Sequence, residues 1–388
     1  MIWKTFGWSF AVTALGLAFA AWQWGWKAFG IVLILSVLEI SLSFDNAVVN
    51  AGILKKMNAF WQRIFLTLGI LIAVFGMRLV FPVVIVAISA EVGPVEAVRL
   101  ALDEPERYQG LVTDAHPAIA AFGGMFLLMI FLDFVLEERE IAWLAWLERP
   151  LARLGKVDML SVCVALIALA VTATTFATHA HVSTGHADKS ATVLLSGVAG
   201  LITYLVVGGL SAYFENRLED EDEDEQEQEE QEKEEAAAVR AGGRPVSAAA
   251  LAGRAAFFLF LYLEVLDASF SFDGVIGAFA VTNHIFWMAL GLGIGAMYVR
   301  SLTIHLVRQG TLDDYVYLEH GAHYAIGALA VILLVTVEHQ ISEVVTGLIG
   351  VVLIAASFLS SVRRNKALEA AGAGRPTPAE ETGRSLTA

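Results

Sequence analysis

Long uninterrupted apolar stretches recur along this chain of 388 residues and constrain its fold more than any other feature. Hydrophobic residues make up 57% of the sequence, above the roughly 45–50% of soluble proteins. A stretch of about 18 or more apolar residues can cross a bilayer as a helix. The sequence therefore predicts an all-α, polytopic membrane protein. Ten transmembrane spans are predicted, at 6–24, 29–53, 64–90, 117–136, 158–178, 191–214, 252–281, 284–307, 321–338 and 341–361.

Basic residues are distributed unequally between the two sides that these spans define. Nineteen of the 25 lysines and arginines fall on one side and four on the other, while Arg78 and Arg300 lie inside spans. Cytoplasmic loops carry the excess of Lys and Arg. We therefore expect a multi-pass protein of the cytoplasmic (inner) membrane with both termini in the cytoplasm. The N-terminal run has some features of a signal peptide, but its flanking tryptophans favour a retained span.

The net charge of −15 is concentrated in one predicted cytoplasmic loop, 215–251. Its first part, 215–235, carries fourteen acidic residues against Arg217 and Lys233. The loop has too few apolar residues to fold, so we interpret it as a disordered tether between two halves. The alternatives are a weak collector of cations or a docking segment for a cytoplasmic partner. No nucleic-acid partner is expected, and the single cysteine, Cys163, excludes an intramolecular disulfide.

One polar motif occurs twice inside otherwise apolar spans. Residues 38–46 read Leu-Glu-Ile-Ser-Leu-Ser-Phe-Asp-Asn and align without a gap with 266–274, Leu-Asp-Ala-Ser-Phe-Ser-Phe-Asp-Gly. The copies lie on spans 2 and 7, so they run through the membrane in opposite directions. We predict two inverted three-helix repeats, 29–136 and 252–338, an architecture common in transporters. The other predicted segments are a peripheral helix (1–28), a connecting helix pair (137–214), the acidic loop (215–251), a last membrane helix (339–361) and a disordered cytoplasmic tail (362–388).

The motifs place several ionisable and amide side chains at membrane depth, where they are expensive and by default mark a functional site. Carboxylate and amide oxygens are hard ligands that suit magnesium, calcium or manganese. Acids six residues apart diverge by about 120° on an ideal helix. The motif serines, with Gly274 and Gly277, therefore predict local unwinding in both copies. The predicted cation ligands are Glu39, Asp45, Asn46, Asn50, Glu264, Asp267 and Asp273, supported by Ser43, Ser271, Arg78 and Arg300.

A purely structural reading of the same residues is that the acids form buried ion pairs with Arg78 and Arg300 that fix helix packing. Two arginines cannot neutralise five acids, so protons or a cation would still be needed. Outside the motifs, an extracytoplasmic group comprising His179, His181, His186 and Asp188 is a second candidate metal site, with ordinary interfacial histidines as the alternative. At the cytoplasmic ends we expect solvated Asp133 and Glu137 and interfacial His320 and His323.

The motif Leu-Glu-x-x-x-Ser-Phe-Asp-Asn-Ala at 38–47, with Glu264-x-x-Asp267-x-x-Phe270-Ser271-x-Asp273, resembles the TerC family of integral membrane proteins. It resembles more closely a TerC-like branch carried as a domain of unknown function. The resemblance covers roughly residues 30–136 and 252–340. It implies a link to tellurium resistance, export of divalent metals, chiefly manganese, in some members, and kinship with LysE-type exporters. It assigns the site to Glu39, Asp45, Asn46, Glu264, Asp267 and Asp273. Gly274, the acidic loop and the extra spans depart from the family pattern.

The sequence thus predicts a secondary transporter that exports a divalent cation. Manganese is favoured, with calcium or magnesium as alternatives, and no permanently bound cofactor is expected. No nucleotide-binding motif is present, so coupling to an ion gradient is expected. The alternative function is a non-transport membrane scaffold in tellurite or metal stress response or membrane-protein assembly, acting through 215–251. No enzyme is predicted, since no peptide-binding motif supports an intramembrane hydrolase.

Overall fold

The computed structural model of the chain describes residues 2–55, 57–69, 71–89, 92–139, 141–157, 159–209, 253–282, 284–309 and 315–370. The predicted acidic loop 215–251 lies outside these residues. So do the side chains of Asp45, Ser271 and Asp273, although their backbone is described.

The described residues are almost entirely helical, which confirms the predicted fold class. The α-helices are α1 (Ile2–Trp24), α2 (Trp26–Leu42), α3 (Phe44–Leu54), α4 (Ala59–Ile64), α5 (Phe81–Ser89), α6 (Pro94–Asp103), α7 (Pro105–Leu136), α8 (Ala145–Leu154), α9 (Leu160–Thr174), α10 (Ser190–Gly209), α11 (Gly253–Val281), α12 (Ile285–Gln309), α13 (Leu318–Thr336) and α14 (Glu343–Ala370). Between α9 and α10 a 3₁₀ turn, Ala177–His179, leads into an antiparallel hairpin of β1 (Ala180–Val182) and β2 (Gly185–Ala187).

Eight helical stretches of the described residues are long and apolar enough to cross a membrane, and they correspond to eight of the ten predicted spans. This is a multi-pass membrane protein. The two remaining predicted spans carry the repeated motif. One is divided into α2 and α3, and the other is α11, which contains Glu264, Asp267 and Asp273.

Two predicted spans are longer in the structure. Helix α7 begins at Pro105 rather than at residue 117, because a proline at the first helical position lacks only an N–H that would be unpaired anyway. Helix α14 continues to Ala370, nine residues past its predicted end and into the tail predicted to be disordered. The last four residues, Ala-Leu-Glu-Ala at 367–370, are strong helix formers.

The predicted unwinding occurs in the first motif copy only. Helices α2 and α3 are separated at Ser43, whose φ of −102° and ψ of 19° leave the helical range. The prediction was wrong for Ser269, Ser271, Gly274 and Gly277, because α11 is continuous from Gly253 to Val281. The hydroxyl of Ser269 donates to the carbonyl of Val265 at 2.9 Å, which satisfies it inside an unbroken helix.

The third predicted span contains two π-helical segments that the sequence did not indicate. They are Phe65–Gly69 and Ile72–Val80, and they lie between α4 and α5. The wider turn of a π-helix rotates the following side chains relative to an α-helix, and such insertions occur frequently at functional sites. In this chain they carry Phe65, Gly69 and Arg78 to the centre of the molecule.

Close contacts between α7 and α13 show that the third helices of the two repeats are related by an approximate two-fold axis. A Cβ on Gly124 would lie 3.0 Å from Cδ2 of Leu334, and a Cβ on Gly327 would lie 2.6 Å from Cδ2 of Phe131. Gly124 and Gly327 are equivalent, and so are Phe131 and Leu334, with the same separation in the chain. Each contact is therefore the counterpart of the other. Small residues that let helices approach closely are typical of membrane interfaces.

Polar contacts at the ends of α7 and α13 place the loops on two opposite sides. The hairpin is tied to one end, where the backbone N–H of Ser183 donates to Asp114 at 2.7 Å and that of His181 donates to the carbonyl of Val337 at 2.8 Å. At the other end, Arg139 lies 3.7 Å from Glu319. The hairpin and the segment 137–156 therefore lie at opposite ends of the helix pair, as the distribution of basic residues predicts.

This arrangement can be checked with two cysteines on a Cys163→Ser background. We expect an impermeant thiol reagent applied to intact cells to label Thr184→Cys, at the exposed tip of the hairpin, and not Lys156→Cys, which is equally exposed at the other end. Permeabilised cells should give labelling of both variants. Labelling of Lys156→Cys alone in intact cells would contradict the predicted orientation.

Candidate functional site

The two motif copies meet at the centre of the molecule. Asn46 of the first copy donates from Nδ2 to Oδ1 of Asp267 in the second copy, at 2.7 Å. In the reciprocal contact, a Cβ on Gly274 would lie 2.9 Å from Oε2 of Glu39. The alignment makes Asn46 equivalent to Gly274 and Glu39 equivalent to Asp267. The start of each motif thus lies beside the end of the other, so the two copies are antiparallel, as the inverted repeat predicts.

The first half of the site is centred on Glu39 of α2, which is buried. Arg78 of the second π segment forms an ion pair with Oε1 of Glu39 and also donates from Nη1 to the carbonyl of Ala73 at 2.5 Å. Ser43, at the break after α2, donates its hydroxyl to the same Oε1 at 3.0 Å. Glu39 is thereby fixed by groups from its own repeat.

Helix α12 closes this half through glycines that the sequence interpretation missed. A Cβ on Gly295 would lie 2.4 Å from both Cβ and Cγ of Glu39. One turn earlier, Ser36 donates its hydroxyl to the carbonyl of Gly291 at 3.0 Å. The alternation Gly291-x-Gly293-x-Gly295 was the available signal, since glycines in a membrane helix permit close backbone approach.

The second half of the site is centred on Arg300 of α12, which is only 1% exposed. Its Nη2 lies 3.1 Å from Oδ2 of Asp267 and 3.5 Å from Oε1 of Glu264, both on α11. Its guanidinium carbon lies 3.8 Å from the ring centroid of Phe65 in the first π segment. A Cβ on Gly69 would lie 2.8 Å from Oε1 of Glu264 and 2.9 Å from Nη1 of Arg300, so this glycine makes room for the pair.

The two ion pairs are equivalent in the repeats, because Arg78 and Arg300 follow their motifs at corresponding places. The structural reading of the arginines is thus correct as far as it goes: both pair with motif acids. It does not account for the charge. The described cluster holds three carboxylates, Glu39, Glu264 and Asp267, against two guanidiniums, before Asp45 and Asp273 are counted.

Several buried polar atoms of the site have no hydrogen-bond partner among the described residues. They are both amide atoms of Asn50, Oε2 of Glu264, Nη1 of Arg300 and Nε of Arg78. Asn50 is 0% exposed. Most buried polar groups in proteins are hydrogen-bonded, so each exception calls for an explanation such as an ion or water. Two of these five atoms belong to the Arg300–Glu264 pair in the second half of the site.

The structure brings Glu39, Asn46, Glu264 and Asp267 together with both arginines and Ser43. Among the residues that it describes, no three His, Cys, Asp or Glu side chains are arranged to hold a metal ion. Asp45 lies in the first turn of α3 and Asp273 within α11. Their side chains, and that of Ser271, lie outside the description.

The histidines of the hairpin are engaged locally. His181 and His186 face each other across the hairpin with ring centroids 5.8 Å apart, and Gln340 donates to Nε2 of His181 at 2.8 Å. Hydrogen bonds from the hydroxyl and the backbone N–H of Ser190 hold the pKa of Asp188 below its ordinary value. No described group of three ligands forms here, so the structure does not support the second candidate metal site.

The opposite end contains a cavity of about 640 Å³ lined by Asp133, Tyr204, Tyr262 and His323, among others. Asp133 is exposed, as predicted, and accepts a hydrogen bond from the hydroxyl of Tyr204 at 2.5 Å. His320 is buried rather than interfacial: it bonds to the carbonyl of Ile141 at 2.9 Å and lies 3.6 Å from Glu148. The α7–α8 connection is thereby fastened to α13.

Comparison with known proteins gives one family. No curated protein and no solved structure matches the chain. A family profile described as "Protein of unknown function (DUF475)" matches residues 44–368, which include the last three residues of the first motif copy, 44–46, and all of the second. Since the match covers well over half of its length, the chain belongs to this family.

Proposed function

We propose that this protein is a secondary transporter that exports a divalent cation, manganese in the first place, from the cytoplasm across the inner membrane. One observation carries the proposal. Two inverted copies of an acidic motif meet, buried, between antiparallel helices of a multi-pass membrane protein, and Asn46 of one copy bonds directly to Asp267 of the other. A polar site between inverted repeats, next to a broken helix, is typical of secondary transporters.

The chemistry of the site favours a hard cation. The side chains that meet offer carboxylate and amide oxygens, which suit manganese, magnesium or calcium better than a softer metal. The described acids outnumber the arginines, so a cation would offset the remaining negative charge. The resemblance of the motifs to TerC proteins supports manganese over the other two. We expect export to be coupled to an ion gradient.

Flux of metal into proteoliposomes tests this proposal. Vesicles containing the purified protein and an internal metal-sensitive dye should take up Mn²⁺ faster than protein-free vesicles, with unlabelled Ca²⁺ and Mg²⁺ as competitors to rank the cations. In cells, loss of the gene should raise intracellular manganese when the medium is rich in it. Mn²⁺, Ca²⁺ and Mg²⁺ fluxes that all equal those of protein-free vesicles would refute transport of these cations.

Removing the acidic loop separates the transporter from the scaffold alternative. We expect a variant lacking 215–251, with a short flexible linker of neutral residues in its place, to keep most of its Mn²⁺ flux, because the described contacts of the site join residues of α2, α3, α11, α12 and the second π segment. A second variant, in which 215–251 keeps its length and acidic composition but has a scrambled sequence, serves as the control for loop charge. Full flux with loss of metal or tellurite tolerance in cells would instead favour the scaffold function.

A further inference from the structure

We propose that the guanidinium of Arg300 occupies the seat of the cation in this structure and must leave Glu264 and Asp267 before a divalent cation binds between them. Arg78, its counterpart in the first repeat, stays with Glu39. The inference rests on the proposed function and adds an internal competitor to the same site. Four features of the described residues carry it.

The first feature is the divided hold of Arg300 on the acids. A single nitrogen, Nη2, serves both carboxylates, at 3.1 Å to Asp267 and 3.5 Å to Glu264. A bidentate arginine–carboxylate pair would use two nitrogens at about 2.7–2.9 Å. Nη1 and Oε2 of Glu264 have no partner among the described residues. The ion pair is therefore buried but incompletely hydrogen-bonded, so few favourable contacts are lost when Arg300 separates from the two carboxylates.

The second feature is a contact that Arg300 keeps after the carboxylates are released. The face of Phe65 lies 3.8 Å from the guanidinium carbon, and an aromatic face attracts a desolvated guanidinium. Phe65 and Gly69 belong to the same π segment. Because Gly69 has no side chain, the segment that carries Phe65 lies directly against the pair: a Cβ on Gly69 would be 2.9 Å from Nη1 of Arg300 and 2.8 Å from Oε1 of Glu264.

The third feature is the contrast with Arg78. Besides its ion pair with Glu39, Arg78 donates to the carbonyl of Ala73 within its own π segment. Glu39 is itself held by Ser43 and covered by Gly295. Separating Arg78 from Glu39 would therefore disturb the other contacts of both the arginine and the carboxylate. The two equivalent arginines thus differ in how firmly they are held.

The fourth feature is a buried amide at the level of the seat. Asn50 lies one helical turn beyond Asn46 on the same face of α3. Since α3 and α11 are antiparallel and Asn46 contacts Asp267, Asn50 reaches the level of Glu264, one turn earlier in α11. Asn50 is 0% exposed and neither of its amide atoms has a described partner. Its oxygen, with those of Glu264 and Asp267, forms the ligand set that a cation would take over from Arg300.

Binding of Mn²⁺ to the purified full-length protein tests the displacement. Arg300→Gln removes the competitor and should tighten Mn²⁺ binding about tenfold, a change of about 1.4 kcal/mol. Arg78→Gln removes the same charge at the equivalent place and should weaken the affinity, because Glu39 loses the ion pair that fixes it. Equal tightening by both variants would show simple charge repulsion and overturn the proposal. If the wild type binds Mn²⁺ and Arg300→Gln does not bind it more tightly, the proposed displacement is also overturned, while the proposed function is not.

A rescue measurement distinguishes occupancy from a structural role. In Arg300→Ala, methylguanidinium at millimolar concentration should fill the vacated place and return the Mn²⁺ affinity toward the wild-type value, while it leaves the wild type unaffected. No effect on Arg300→Ala overturns the proposal. If the neutral variants do not fold, Arg300→Lys keeps the charge without the planar fork and should still bind Mn²⁺ more tightly than the wild type. Absence of Mn²⁺ binding in the wild type and every folded variant would instead refute the proposed function itself.

Discussion

Asp267→Asn is expected to reduce Mn²⁺ flux by about two orders of magnitude, which corresponds to about 3 kcal/mol of lost binding energy. The substitution removes the charge of a carboxylate that bonds to both repeats, through Asn46 and Arg300. An amide oxygen still accepts the hydrogen bond from Asn46, and Glu264 remains within 3.5 Å of Arg300. The fold should therefore survive while the seat loses half of its negative charge. Flux in proteoliposomes, normalised to incorporated protein, measures the effect.

The matched control for this variant is Asp114→Asn. Asp114 is on α7, away from the motifs, and accepts a single hydrogen bond from the backbone of Ser183. The same chemical change there should leave the flux within about twofold of the wild type. Asp267→Asn vesicles that transport at the control rate would show that the second motif copy is not part of the pathway.

Gly295→Ala is expected to destabilise the protein by about 2–3 kcal/mol, the upper part of the range for an overpacked interior site. The new methyl group would lie 2.4 Å from Cβ and Cγ of Glu39 and 3.2 Å from the carbonyl of Ser36. The near parts of a side chain cannot swing away as a flexible end can, so α12 must move off α2. The melting temperature in detergent should fall accordingly. It is measured by size-exclusion chromatography of heated samples.

Gly30→Ala is the control for this second variant. Gly30 lies in α2, the helix against which Gly295 packs, but nothing lies within 4 Å of a Cβ placed on it. Alanine should gain up to about 1 kcal/mol there through helix propensity. Equal melting temperatures for Gly295→Ala and Gly30→Ala would mean that the close approach of α12 to Glu39 does not exist in solution.

The membrane architecture was predictable because it depends on local composition and on repetition. Eight of the ten predicted spans and the antiparallel motif copies followed from the sequence, and the ion pairs of Glu39 with Arg78 and of Asp267 with Arg300 agree with its structural alternative. The inverted orientation needed only a count of spans. Glu39, Asn46 and Asp267 could therefore be brought to one place before any coordinates were known.

The internal details of the site depend on tertiary packing and could not be predicted. Both copies contain Ser-x-Ser, yet only Ser43 interrupts a helix, because there its hydroxyl bonds to Glu39, itself fixed by Arg78 and Gly295. The π segments have no sequence signature, so the approach of Phe65 to Arg300 was not foreseen. Equivalent residues in the two copies thus acquired different surroundings.

The glycine contacts between α7 and α13 bear on how such a molecule can move. Leu334 sits in the notch left by Gly124, and Phe131 sits in the notch left by Gly327. Two notches along one line resist sliding, since a shift along the helix axis would lift both side chains onto the neighbouring backbone. Rotation of one helix relative to the other about that line keeps both side chains in place. The contact between α7 and α13 is therefore suited to act as a pivot between the two repeats.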